Sequence, residues 1–325
     1  FVSFSRKAAD EARTRASAAL NIDPNQMVWF RTLHSMAFQY LGLSSQRVLK
    51  GSDFTQLGNI LGVEFSSNSS VNMADGQLFS PGKGGDSSMS MIQLARVRGV
   101  SLEQQFSDTN NRHSFYQQLK LVNEVLQDYK HDTGKIDFVD MIESFIAQGE
   151  GPRLEVLIVD EAQDLAPLQW RMVHDVLKPR AKRIYFAGDD DQCIYSWMGV
   201  DVRDFLNASE NKMVLDKSYR LPKNIYEIAN SLINRVVMRQ SKVWSPVSEA
   251  GQVVWHYNIS DLNLMEGEWL ILSRTNYIAN QIATDLKDQG YLFWREGSGW
   301  SISPNVLTGI EVWLKLCKGL SVAAE

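Results

Sequence analysis

Two short apolar runs, each ending in a cluster of acids, constrain this chain more than any other feature. Leu154-Glu155-Val156-Leu157-Ile158-Val159 leads directly into Asp160-Glu161-Ala162-Gln163-Asp164. Ile184-Tyr185-Phe186-Ala187 leads into Gly188-Asp189-Asp190-Asp191-Gln192. Short β-branched apolar runs of this kind read as buried strands of a parallel sheet. Such sheets bind ligands outside the carboxyl ends of their strands, which is where both acidic clusters fall. Adjacent carboxylates there suit a magnesium–nucleotide site, in which one holds the metal and the next takes a proton from an attacking water. A strand-end carboxylate can equally cap a following helix. Two clusters, each with a Gln within a few residues, shift the balance towards nucleotide chemistry.

The rest of the composition excludes little but is consistent. At 325 residues the chain has room for two or three domains. Its 44% hydrophobic and 22% charged residues are ordinary for a globular protein. No apolar run is long enough to span a membrane and no secretory leader is apparent, so a cytoplasmic location and no membrane partner are expected. Cys193 and Cys317 are far apart and lack metal-type spacing, which fits a reduced setting. Phe1-Val2-Ser3-Phe4 reads as the interior of a domain, so the chain is expected to be a fragment. A net charge of −5 argues against a simple polycationic nucleic-acid binder. It leaves room for a motor with local basic patches, such as Arg6, Lys7, Arg13 and Arg15, or Lys178, Arg180, Lys182 and Arg183. Either patch alone also reads as a solvated face.

Along the chain, Val2-Ser3-Phe4 reads as a strand and Lys7 to Leu20 as a helix. A turn surrounds Pro24, Val28-Trp29-Phe30 begins another apolar segment, and Thr32 caps a helix from about His34 to Leu41. Periodicity weakens from Gly51 to Ser90, where Ser, Asn and Gly accumulate from Ser66 onward, and that stretch reads as a loop or surface insertion. Helical patterning returns at Met91 to Arg98, Asn111 to Lys130 and Phe138 to Ala147, before a break at Gly149-Glu150-Gly151-Pro152. Beyond Asp201 come a helical segment, a helix from Pro222 to Val237 and another from Ile278 to Gln289. Apolar runs at 212–215, 253–257, 269–272 and 291–293 read as strands of a second α/β unit.

In this order the pieces resemble the UvrD/Rep/PcrA-like superfamily 1A DNA helicases. Ser3-Phe4-Ser5-Arg6-Lys7-Ala8-Ala9 is similar to motif Ia, and Arg31-Thr32-Leu33-His34-Ser35 to motif Ib. Asp160–Asp164 (DEAQD) is similar to motif II, and Gly188–Gly199 (GDDDQCIYSWMG) to motif III. Ser218-Tyr219-Arg220 with Ile225 and Asn230 resembles motif IV, and Leu272–Asn276 resembles the strand end that follows it. The resemblance implies an α/β fold: a RecA-like parallel-sheet P-loop NTPase domain with a helical insertion, then part of a second RecA-like domain. Its boundaries would be 1–45 with 153–212, 46–152 for the insertion, and 213–325.

The same resemblance implies roles. Asp160, with Glu161, would hold magnesium (Mg2+), and Glu161 would polarise the water that attacks ATP. Gln192 would reach the γ-phosphate, with Gln163 relaying between nucleotide and DNA and Asp189 beside the nucleotide. Arg220 would act as an arginine finger and Tyr219 would stack on adenine. For single-stranded DNA, Trp197 and Phe4 would offer stacking faces, while Arg6, Lys7, Thr32, His34 and Arg274 would contact the backbone.

Three departures from the family pattern stand out. No Gly-x-x-x-x-Gly-Lys-Ser/Thr occurs; Pro81–Gly85 imitates its composition with the wrong spacing. The family's motifs V and VI are also absent, so a motor truncated at both ends is expected. Met198 stands where the family usually carries Arg. The function implied is an ATP-dependent single-stranded DNA translocase and helicase, acting 3′ to 5′ on single strands and duplex–single-strand junctions; the residues do not choose among DNA repair, DNA replication restart, recombination and phage replication. The alternative is a catalytically inactive helicase-like module that binds DNA or protein.

Overall fold

The computed structural model describes residues 1–65, 84–109, 113–295 and 298–321. It divides into two compact units, Phe1–Ala250 and Gly251–Glu325. In the first, β1 (Val2–Ser3) leads through α1 (Arg6–Leu20) to β2 (Arg31–Thr32). Six helices follow: α2 (Leu33–Tyr40), α3 (Gly51–Leu61), α4 (Gly85–Arg98), α5 (Leu102–Asp108), α6 (His113–Thr133) and α7 (Phe138–Gln148). Then come β3 (Leu154–Asp160), α8 (Pro167–Arg171) continued by a π-helical turn over Met172–Leu177, β4 (Ala181–Phe186), α9 (Val202–Leu206) and α10 (Lys223–Ile233). The second unit holds α11 (Asn276–Asp288), the strands β5 (Trp294–Arg295) and β6 (Gly299–Trp300), and α12 (Pro304–Cys317).

Local chemistry sets the helix starts next to the sheet. Ser5 caps α1 by accepting from the Ala8 N–H at 3.1 Å, and Thr32 caps α2 by accepting from the Ser35 N–H at 3.2 Å. Asp137 and Asp140 satisfy each other's backbone N–H groups in a capping box that opens α7. α1 ends on Asn21 in the left-handed region, a conformation Asn tolerates. Each cap removes orphan backbone donors or acceptors from the helix end.

The four strands of the first unit form a parallel sheet in the order β2-β1-β3-β4. Val2 stands opposite Val159 and Arg31, and Val159 stands opposite Phe186. Val2, Leu157 and Val159 lie on one face and are fully buried. They share a single core with Leu33, Met36, Ile142, Phe145, Val173 and Leu177, so the helices between β2 and β3 continue the core of the sheet. An α/β fold built on a parallel sheet is therefore present, as the sequence implies.

Two expectations fail at the level of elements. Gly51 to Ser90 is not a continuous loop: α3 occupies Gly51–Leu61 and α4 begins at Gly85, while 66–83, including most of Pro81–Gly85, lie outside the described residues. α3 survives its weak pattern because Phe54 and Leu57 reach the core. Secondly, the runs at 212–215, 253–257, 269–272 and 291–293 form no strand. Met213, Leu215, Leu270 and Leu272 are each about 80% exposed or more. β-propensity expresses a fit to neighbouring strands, and none of these runs is paired with one among the described residues. α10 and α11, which need no such partner, form where expected.

Candidate functional site

The strand order changes direction between β1 and β3, since the chain leaves β1 for β2 on one side and returns to build β3 and β4 on the other. The crevice at such a switch point is the usual ligand site of an open parallel sheet. Register places Ser3 beside Asp160 at the carboxyl ends. Ser3 is buried, and its Oγ has no hydrogen-bond partner among the described residues. Burial first, and the Glu161 charge second, push the Asp160 carboxyl above its ordinary pKa. A carboxylate strained in this way gains from an incoming cation.

Glu161 has φ 51° and ψ 40°, the left-handed region that costs a non-glycine residue about 1–3 kcal/mol. Among the described residues only Asn21 shares a positive φ without being glycine, and there the residue type explains it. Glu161 has no such excuse, so the strain is held by its surroundings. Buried Gln163 supplies part of that hold. Its Nε2 donates to Glu161 Oε2 at 2.8 Å and to Asp164 Oδ2 at 3.2 Å, while its Oε1 accepts from the Asp189 N–H at 3.1 Å. Gly188 makes the approach possible, because a Cβ there would stand 2.3 Å from Gln163 Oε1. Asp164 is pushed up to about 7 by burial and then by Glu161, so it is partly protonated near neutral pH.

Beyond β4, exposed Gln192 donates through Nε2 to Asp189 Oδ2 at 2.7 Å. One continuous line of hydrogen bonds thus runs from Glu161 through Gln163 and Asp189 to Gln192. No group of three or more His, Cys, Asp or Glu side chains that could hold a metal is gathered among the described residues. Asp160 and Glu161 nevertheless fit magnesium, which is bound by one or two carboxylates and otherwise by water and phosphate oxygens.

The remaining site residues are placed unevenly. Trp197 is 55% exposed, with Tyr195 its ring neighbour at 6.5 Å. Phe4 is 5% exposed and lies 5.3 Å from the same Tyr195 ring, so it offers no open face in this conformation. Arg6 and Lys7 are exposed at the start of α1. Arg6, Thr32 and His34 line one cavity of about 330 Å³ together with Arg13, Arg31 and Phe38. The Thr32 hydroxyl is already engaged as the cap of α2. Burial lowers the His34 pKa to about 4, against a smaller opposing pull from Asp137, so the ring is neutral at pH 7. Tyr219 and Arg220 are exposed in the first unit, with Lys217 Nζ 5.0 Å from the Tyr219 ring, and the Arg220 N–H donates to Ser218 Oγ at 3.2 Å. Arg274 is exposed in the second unit, just before the Thr275 cap of α11. Met198 is buried at 2% exposure, so its side chain belongs to the core.

Sequence reasoning missed Arg239 and Lys242. Both pair with the acidic run after β4: Arg239 with Asp191, and Lys242 with Asp189, Asp190 and Asp191. Three consecutive carboxylates in a partly buried loop demand counter-charges, but nothing in the spacing says which cations supply them.

A sequence model described as the UvrD/REP helicase N-terminal domain matches residues 1–213. The chain is similar to the ATP-dependent DNA helicase PcrA of Leuconostoc citreum, 25% identical over 276 residues, which is 78% of this chain and 35% of that protein. It is also similar to PcrA of Staphylococcus epidermidis, 25% identical over 279 residues, or 79% of this chain and 36% of that protein. PcrA of Staphylococcus aureus is 23% identical over the same coverage. The chain therefore spans about a third of the length of these curated relatives.

Proposed function

The chain belongs to the UvrD/REP helicase family, and from that premise we propose that it is the core of an ATP-dependent single-stranded DNA translocase that unwinds duplex DNA with 3′ to 5′ polarity. The observation that carries this reading is the strained Glu161 beside Asp160 at the switch point, joined through Gln163 to the loop bearing Gln192. Backbone strain of this kind clusters where a side chain must be aimed for chemistry.

Asp160, with Glu161, would hold magnesium, which when bound would draw charge from the transferring phosphoryl oxygens. Glu161 orients the attacking water and takes its proton. Gln192, an uncharged amide, contacts the γ-phosphate without competing for metal, and Gln163 carries its position to Glu161. Arg220 and Tyr219 serve the phosphoryl group and the adenine once the cleft is assembled. Trp197 presents an open ring to an unpaired base. The domain assignment 1–45 with 153–212, an insertion over 46–152 and a second domain from 213 accompanies this reading. So do junction binding and a cytoplasmic location. No helix among the described residues is long and apolar enough to cross a membrane.

Glu161→Gln tests the proposal in the intact protein. Nucleotide binding should stay within about threefold, because the amide is isosteric and Asp160 remains. DNA-stimulated turnover should fall by roughly 10²–10⁴-fold, the usual worth of a positioned general base. Turnover close to the parent would show that Glu161 is only structural.

A further inference from the structure

We propose that Lys242 and Arg239 are positioning residues for the nucleotide site: they form a clasp that sets the Gln192 loop and ties it to the segment carrying Tyr219 and Arg220. The clasp deepens the reading above and rests on it.

The contacts are specific at both ends. Lys242 Nζ lies within 3.0 Å of a carboxylate oxygen from each of Asp189, Asp190 and Asp191. Arg239 forks onto Asp191, with Nε at 2.8 Å from Oδ1 and Nη2 at 2.7 Å from Oδ2, and its Nη1 donates to Asn234 Oδ1 at 2.7 Å. The Gln240 N–H donates to Asp190 Oδ2 at 2.6 Å. Such a bidentate fork fixes angle as well as distance, which a surface lysine pair does not. Both cations are largely buried, at 12% and 13% side-chain exposure, so water screens these pairs less than ordinary surface ones.

Asp189 is the shared member. Its carboxylate accepts from Gln192 and from Lys242, while its backbone N–H donates to Gln163, the partner of Glu161. A shift of Lys242 therefore reaches Gln192 through one carboxylate and Glu161 through one peptide. On the other side, the strand-like stretch after Lys242 runs alongside the chain around Tyr219 and Arg220. The Ser218 N–H donates to Ser245 O at 2.8 Å, the Ser245 N–H to Asp216 O at 2.8 Å, and the Val247 N–H to Leu221 O at 3.0 Å. Lys242 is thus the fixed point between the loop that would contact the γ-phosphate and the segment that would supply the arginine finger. The carboxylate pKa of Asp191 is held below its ordinary range and the Lys242 ammonium above its own, as expected of a clasp that stays charged at neutral pH.

The test uses the intact protein with ATP and single-stranded DNA, comparing Lys242→Met, Arg239→Lys and Glu161→Gln. Arg239→Lys keeps the charge and loses the fork. Lys242→Met should lower kcat about tenfold to a hundredfold, the cost of a displacement near 1 Å at a reacting centre, with KM for ATP within about threefold. Arg239→Lys should give a smaller kcat loss, about threefold to tenfold, with melting close to the parent. A lowered melting temperature with kcat per folded molecule unchanged would reduce the clasp to a structural ion pair and overturn the proposal. Should Lys242→Met fail to fold, Arg239→Lys decides alone, and its parental kcat would be the overturning result. Glu161→Gln separates the two claims. If it is inactive while the clasp variants are normal, only the clasp is lost; if it is active, the nucleotide-site reading itself fails.

Discussion

Lowering the pH should destabilise the first unit through His34, and the size of the effect follows from its burial. The His34 pKa falls from 6.5 to about 4 because the ring is withdrawn from water, with Asp137 opposing only in part. Asp137 is itself held by Arg96 and Lys130, so its charge is largely spent on those partners. The folded state therefore binds fewer protons than the unfolded state once the pH drops below 6.5. Stability is fully present above that value, declines as pH falls, and levels off below about 4. A shift of this size is worth roughly 3 kcal/mol across the whole window, and about 2 kcal/mol has been lost by pH 5. His34→Gln removes the titrating group, and among the described residues His34 Nδ1 has no hydrogen-bond partner to forfeit. The parent should lose about 2 kcal/mol more than His34→Gln between pH 7.5 and 5 in urea unfolding. The chain has five histidines, so the His34 ring can be followed directly by NMR titration. Being neutral at pH 7, His34 should leave the salt dependence of DNA binding unchanged when replaced. Equal pH dependence for parent and variant, or a ring titrating near 6.5, would refute the reasoning.

Two further outcomes bear on the site. Trp197→Ala should weaken single-strand binding about ten- to hundredfold, the worth of one stacked base. Because the ring is 55% exposed, its melting penalty should stay below that of a buried aromatic truncation; a large melting drop with unchanged affinity of the folded protein would assign Trp197 to the core. Gly188→Ala should force Gln163 away from the Asp189 N–H, since the new Cβ would occupy the space of Gln163 Oε1. The expected cost is about 1–3 kcal/mol of stability together with slower turnover, read by melting and ATPase in parallel, and a neutral result on both would show that the Gln163 bridge is dispensable.

What the sequence by itself determined was what depends on neighbours close in the chain. The apolar runs ending at Asp160 and near Gly188, the Thr32 cap, and the helices around Lys7–Leu20, Phe138–Ala147 and Ile278–Gln289 are written in local periodicity and capping chemistry. Helices close their hydrogen bonds within themselves, so a local pattern suffices. Pairing across the chain was decided only by the tertiary structure. The order β2-β1-β3-β4 brings Ser3 against Asp160, although the residues that touch are far apart in sequence. The ring of Phe4 is buried beside Tyr195, which is far away in the sequence, and the side chain of Met198 joins the core, while Trp197 next to Met198 stays open. The runs at 212–215 and 269–272 have strand composition and find no strand partner among the described residues, because a strand exists only where another offers its backbone. Lys242 and Arg239 find three aspartates for a related reason: a carboxylate cluster requires cations, but only the fold selects which ones reach it.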